Sequence, residues 1–216
     1  MLETEAREAI CRAGASLYAR GYVHGTTGNI SVRLPDGVLI TPTDACLGTL
    51  DPAAISKVGP DGNHLSGDRP SKTVVLHGRI YSADSDARCV IHTHSRQLVA
   101  ASMRGTASGT DLLPPITPYF VMKVGHVPLI AYDVPGSAEV AERVEAAIIA
   151  AQRAQVPIRA VMLERLGPNV WHTSPAGAMA VLEELEETAY LWNTVSPAPL
   201  DDTAIDALRA RFGVAW

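Results

Sequence analysis

Two histidines one residue apart, His92 and His94, close the apolar run Cys89-Val90-Ile91 and stand just before a helix-capable segment from Arg96 to Met103. Residues i and i+2 of a β-strand point to the same face, so both imidazoles can aim a ring nitrogen at one point. Neutral imidazoles converging at a strand end suit a divalent transition metal, although a metal centre needs at least a third ligand. The same pair also fits one histidine that is buried and hydrogen-bonded beside one that is exposed.

Upstream lie three segments of small residues with N–H or hydroxyl groups to offer: Thr26-Thr27-Gly28-Asn29, Thr41-Pro42-Thr43 and Ser71-Lys72. A phosphate has no exposed hydrogen to give, so its site must supply several donors and preferably a cation. Glycine lets the backbone approach, a helix N-terminus adds free N–H groups, and Lys72 adds charge. Each segment alone is ordinary turn composition. Three in succession, just ahead of the histidine pair, point to a phosphate.

The elements that must position these groups can be read from periodicity. Apolar Ala6, Ile10, Ala13 and Leu17 predict an opening helix over Thr4–Arg20, stopped by Gly21. Ile30–Leu34 and Val38–Ile40 flank a Pro35-Asp36-Gly37 turn and predict a hairpin; Ile55–Val58 predicts a further strand. Ser71 or Thr73 can cap a helix running to Tyr81. Beyond the His-x-His strand, Val127–Ile130 and Ile158–Leu163 read as strands and Gly167-Pro168-Asn169 as a turn. Ser137–Gln155, Pro175–Trp192 and a C-terminal segment with Ile205, Leu208 and Phe212 read as helices. On the second of these, Glu183, Glu184, Glu186 and Glu187 are expected on the wet side.

A chain of 216 residues, 47% hydrophobic and 19% charged, suits one globular domain over residues 1–216. Its net charge of -5 gives no footprint for nucleic acid. No run approaches the roughly 18 apolar residues of a membrane helix. The acidic start and the widely spaced Cys11, Cys46 and Cys89 fit a cytoplasmic protein with reduced thiols. Strands mixed with flanking helices favour an α/β sandwich with a mostly antiparallel sheet.

His24-Gly25-Thr26-Thr27-Gly28-Asn29-Ile30-Ser31-Val32-Arg33, then Leu39-Ile40-Thr41-Pro42-Thr43, Pro70-Ser71, Ile91-His92-Thr93-His94 and Leu182–Ala189 resemble the class II aldolase/adducin family in order and spacing. The segment Leu112 to Ile130 is most similar to its 3-oxo-tetronate 4-phosphate decarboxylase branch. The resemblance implies a three-layer α/β sandwich with a mixed sheet, a homotetramer, and Zn2+ or another divalent metal. It implies that Thr26, Thr27, Gly28, Asn29, Thr43, Ser71 and Lys72 hold a substrate phosphate and that His92 and His94 bind the metal. Two positions depart from the pattern. The aldolases carry an acid/base Glu where this chain has Thr73, and a third ligand His where it has Leu166.

Retro-aldol cleavage and the related epimerisation need that base at a substrate hydroxyl. Decarboxylation of a 3-oxo acid does not, because the electrons left by CO2 pass into an enolate that needs only a sink and then a proton. The expected function is therefore decarboxylation of a phosphorylated sugar acid. The alternatives are a sugar-phosphate aldolase or epimerase, and a non-catalytic adducin-like scaffold. For the third ligand His172 and His126 come first. His77, four residues after Thr73, could instead hydrogen-bond a metal-bound histidine. Lys123 or Arg96 could pair with the substrate carboxylate, and Tyr119 could deliver a proton, reaching a neighbouring subunit's site.

Overall fold

Alternation across the Pro35-Asp36 turn gives the hairpin β1 (Asn29–Leu34) and β2 (Gly37–Ile40), around which the rest of the sheet is assembled. The computed structural model describes residues 1–107 and 109–216. The further strands are β3 (Ser56–Val58), β4 (His64–Ser66), β5 (Cys89–His92), β6 (Leu129–Ile130), β7 (Ala160–Leu163) and β8 (Gly167–His172). They form one sheet in the order β4-β3-β2-β1-β5-β8-β7-β6. Each described pairing is antiparallel except that of β6 with β7.

Six α-helices among the described residues flank it: α1 (Glu3–Ala19), α2 (Val74–Ala83), α3 (Arg96–Ser102), α4 (Ala138–Arg153), α5 (Pro175–Val195) and α6 (Asp202–Phe212). Period-2 alternation divides the strands between two cores. Ile30, Val32, Ile91, Met162 and Val170 pack with α1, α3 and α5. Val90, Val161, Leu163 and Trp171 pack with α2 and α4 on the other face. The result is the expected three-layer sandwich with a mixed, mostly antiparallel sheet.

Cross-strand partners share a face. Asn29 is opposite His92, His92 is opposite Asn169, and Ser31 is opposite Val90, so four polar side chains interrupt the apolar α2–α4 face near one end of β5. That interruption positions the site.

Several local expectations need correction. The strand β4 has no alternating signature and was not expected, and the strand around Val127–Ile130 shortens to the two residues of β6. Gly167-Pro168-Asn169 is not a turn but the first half of β8. The reversal happens earlier, at Glu164–Leu166, where Arg165 adopts φ 62°. Pro168 is tolerated because it stands at the start of its strand. Glu186 is buried rather than wet, and its carboxylate accepts from the Gln97 and Leu98 N–H groups at 3.0 and 3.1 Å. It satisfies two N–H groups that the first turn of α3 leaves without helical partners.

Candidate active site

β5 ends at His92, and the chain leaves the sheet through Thr93 to His94. The two imidazoles nevertheless converge, with ring centroids 5.0 Å apart and planes at 70°. They face a cavity of about 630 Å3 between the N-terminal ends of α2 and α4. Thr26, Thr27, Gly28, Asn29, Thr43, Ser71, Lys72 and Thr73 line the same cavity, so the three small-residue segments and the histidine pair share one cavity.

Backbone contacts fix these loops relative to each other. Gly28 has φ 81°, and a Cβ there would meet the Val23 side chain at 2.7 Å and the His92 carbonyl oxygen at 2.9 Å. Only glycine lets that loop lie against the imidazole strand. The second and third segments are joined: Thr43 N–H donates to the Arg69 carbonyl at 2.9 Å and Ser71 N–H to the Thr41 carbonyl at 3.3 Å. Ser71 Oγ and Thr73 Oγ1 share a hydrogen bond of 2.8 Å, so Thr73 begins α2 with its hydroxyl turned to Ser71. The Thr27 hydroxyl donates to the His24 carbonyl at 2.7 Å and accepts from His24 N–H at 3.1 Å, closing its own loop. Thr26, next to it, is exposed.

Burial sets the charge states. His92 Nδ1 lies 2.9 Å from the Pro168 carbonyl oxygen, which can only accept, so Nδ1 carries the proton and Nε2 presents a lone pair. Desolvation, aided by the neighbouring His94, lowers the His92 pKa to about 4. His94 is lowered too, by burial first and then by His24, whose ring centroid is 6.3 Å away. His77, fully buried under α2, falls to about 3 through desolvation. Its Nδ1 is 2.7 Å from Ser31 Oγ, which in turn is 2.7 Å from the Tyr81 hydroxyl. His77 therefore bonds this internal pair rather than His92. Lys72 is the one Lys or Arg among the described residues lining the cavity.

Other expected residues lie elsewhere. His172 is opposite Cys89 while His92 is opposite Asn169, so β8 carries His172 three residues, about 10 Å, away from the imidazole pair. It cannot be a third ligand to them. His126 is bound to Asp111 at 2.5 Å and stacks on Trp216 at 4.2 Å. Tyr119 precedes and Lys123 lies within the π-type turn Phe120–Val124, whose buried Phe120 and Val124 pack in the core with α5. That packing turns both side chains to solvent and away from this chain's own cavity. Arg96 is exposed at the start of α3 and does not line the cavity either.

Four titratable lining residues escaped the sequence. Asp44, with φ 57°, follows Thr43, and its neighbours gave a local signal. Tyr132, Asp133 and Glu164 gave none, since a non-local contact, Tyr132 N–H to Glu164 Oε2 at 2.9 Å, brings their segments together.

The donors can be tested against a resident divalent cation. His92 Nε2 and His94 supply two neutral imidazoles, but Thr73 and Leu166, which line the same cavity, supply no metal-binding group. Among the described residues no three His, Cys, Asp or Glu side chains are grouped to hold a metal ion. Two donors are fewer than the three protein ligands of a catalytic zinc site, so the set does not fit a resident cation.

Comparison with known proteins agrees with the fold and the family resemblance. The family described as Class II Aldolase and Adducin N-terminal domain matches residues 8–193. A 3-oxo-tetronate 4-phosphate decarboxylase from Cupriavidus necator is 54% identical over 99% of each chain. A protein of the same name from Escherichia coli K12 is 40% identical over 92% of this chain and 91% of its own. The crystal structure of YgbL from Escherichia coli superposes with a TM-score of 0.87 at 37% identity, covering 97% of this chain and 100% of that one.

Proposed function

The chain belongs to the class II aldolase and adducin family, and from that premise we propose that it is a carboxy-lyase that converts 3-oxo-tetronate 4-phosphate to dihydroxyacetone phosphate and CO2. The observation that carries this is the single cavity in which Thr26, Gly28, Asn29, Thr43, Ser71 and Lys72 stand together with two neutral imidazoles. The likeness to named decarboxylases over nearly the whole chain supports it.

The phosphate is held by hydroxyl, amide and backbone N–H donors and by the Lys72 ammonium. This anchors the far end of a short substrate, so that its ketone lies at the imidazole pair. Breaking the bond between the carboxylate carbon and C2 leaves an electron pair that moves into the C2–C3 bond and onto the ketone oxygen. An N–H or O–H donor aimed at that oxygen, from His94 or Thr73, stabilises the growing charge; a well-placed donor of this kind contributes about 3 kcal/mol. C2 then takes up one proton, so each turnover releases one CO2 and consumes one proton. A divalent ion, where bound, supplies Lewis-acid polarisation of the ketone. The two imidazoles do not complete its site, and the steps above use only this chain's groups.

An aldolase or epimerase acting by retro-aldol cleavage needs a base at the substrate hydroxyl, and the Thr73 hydroxyl is not one near neutral pH. The proposal also includes a homotetramer in the cytoplasm, in which the exposed Tyr119 reaches a neighbouring subunit's cavity. No helix among the described residues is long and apolar enough to cross a membrane.

The test is to incubate the purified protein with the 3-oxo acid phosphate, with and without added Zn2+, Mn2+, Co2+ or Ni2+, and to follow CO2 and triose phosphate. Equimolar appearance of both is expected. An aldehyde beside the triose phosphate, or no turnover in every condition, overturns the proposal.

A further inference from the structure

The cavity wall shows where a metal site is incomplete. The backbone at Gly167 is pressed against β5: a Cβ there would lie 1.8 Å from the Thr93 carbonyl oxygen and 3.4 Å from His92 Cε1. The residue just before this closest approach, Leu166, lines the cavity with His92 and His94. Thr73, which lines the same cavity, begins α2 with its hydroxyl bonded to Ser71. An isobutyl group and a neutral hydroxyl thus line the cavity that the imidazoles face. Neither is a donor that retains a divalent transition ion.

The histidines of the cavity region do not fill the gap. His24 is the third ring in the vicinity, 6.3 Å from His94 between centroids, yet the three rings are not grouped as a metal-binding set. His77 Nε2 is fully buried with no partner among the described residues, but its Nδ1 is committed to Ser31 on the same sheet face, and it likewise joins no metal-binding group. Asp44 and Glu164 line the cavity and are not grouped with the imidazoles either.

We propose that the substrate-free protein retains no stoichiometric divalent cation, because positions 73 and 166, where the aldolases it resembles carry Glu and His, hold no side-chain donor to complete the imidazole pair. The proposal rests on the same cavity as the decarboxylase assignment, but it is tested without turnover. The wild type and the Leu166→His, Thr73→Glu and doubly substituted proteins are purified without chelator and passed through a desalting column after exposure to Zn2+ or Co2+. Bound metal is measured by mass spectrometry, and the visible absorption of bound Co2+ reports its coordination.

The wild type is expected to keep less than about a tenth of an equivalent, and the double variant about one, with the intense band of four-coordinate Co2+. The single variants fall between and decide the positional claim if the double variant does not fold, as judged by circular dichroism. Near-stoichiometric metal in the wild type overturns the proposal outright. Folded variants that gain none overturn its assignment of the two positions. The wild type is assayed for CO2 release in parallel, so loss of the decarboxylase reading shows as no turnover whatever the metal content.

Discussion

The two ends of β5 differ in how they treat buried polar atoms. At the Cys89 end the backbone N–H of Arg88 donates to the His172 carbonyl at 2.9 Å, and the Trp171 indole N–H donates to Asp84 at 2.9 Å. At the His92 end, Asn29 Oδ1, both amide atoms of Asn169 and His77 Nε2 are buried with no partner among the described residues. Buried polar groups are rarely left this way, and each costs about 1–3 kcal/mol. The Cys89 end is the more finished of the two, with one such atom, Arg33 Nε, on a guanidinium whose other nitrogens donate to the Tyr81 and Ser85 carbonyls; the His92 end keeps four, ready for water or a ligand. That difference marks the site independently of the histidine motif.

The most direct way to break the comparison is to make the same substitution at both ends. His94→Asn is expected to lower kcat/KM for CO2 release about a hundred- to a thousandfold, the loss typical of a transition-state donor. His172→Asn, at the finished end, should leave it within about twofold. Equal losses would show that distance along β5 does not separate function from structure.

Acid should also discriminate between the ends. The His92 and His77 pKa values lie at about 4 and about 3 in the fold, below the ordinary 6.5 that the unfolded chain recovers. As pH falls through 6.5 the unfolded chain takes up protons first, so stability present above that pH is lost progressively down to the folded values. The expected loss is a few kcal/mol between neutral pH and pH about 4. His77→Gln should flatten the slope of denaturation midpoint against pH in that window. His172→Gln, half-buried at the other end, should leave most of it.

Lys72 sharpens the comparison from the ligand's side. As the only ammonium on the described wall, it is expected to contribute about 1.5–3 kcal/mol to holding the phosphate. Lys72→Met should therefore raise KM about tenfold or more and weaken inhibition by inorganic phosphate equally, with the melting temperature unchanged. A fall in kcat alone would place the charge at the reacting end instead.

What was legible in the sequence was local. The His-x-His spacing, the Gly-bearing loop and the small residues near Thr43 and Ser71 each carry their signal within a few neighbours, and all reach the cavity. His172 was misplaced because its position depends on the register of β8 against β5, which no local pattern states. Gly167-Pro168-Asn169 has the composition of a turn, but the chain has already reversed at Arg165, and the glycine is required by the approach to Thr93. Glu186 looked like solvated charge for the same reason: its partners, the N–H groups of Gln97 and Leu98, lie 89 and 88 residues away in sequence. Tyr132 and Glu164 reach the site through the pairing of β6 with β7 and the bond between them, both non-local.

The smallest expected effect tests the premise of the comparison. Asp84→Ala strands the buried Trp171 N–H and should cost about 1–3 kcal/mol in denaturant unfolding, because the donor loses its partner while staying out of water. Asn169 is equally buried, but its amide has no partner among the described residues to lose. Asn169→Val keeps the backbone pairing of β8, suits a strand and exchanges an unsatisfied amide for a methyl group. Its cost should therefore be within about 0.5 kcal/mol, or the change should stabilise, while kcat/KM falls if the amide serves the neighbouring His92 and the ligand. A cost as large as that of Asp84→Ala would mean that ordered water already satisfies Asn169 in the resting protein. The two ends of β5 would then differ in how their polar groups are paired, through solvent or through side chains, and not in whether they are paired at all.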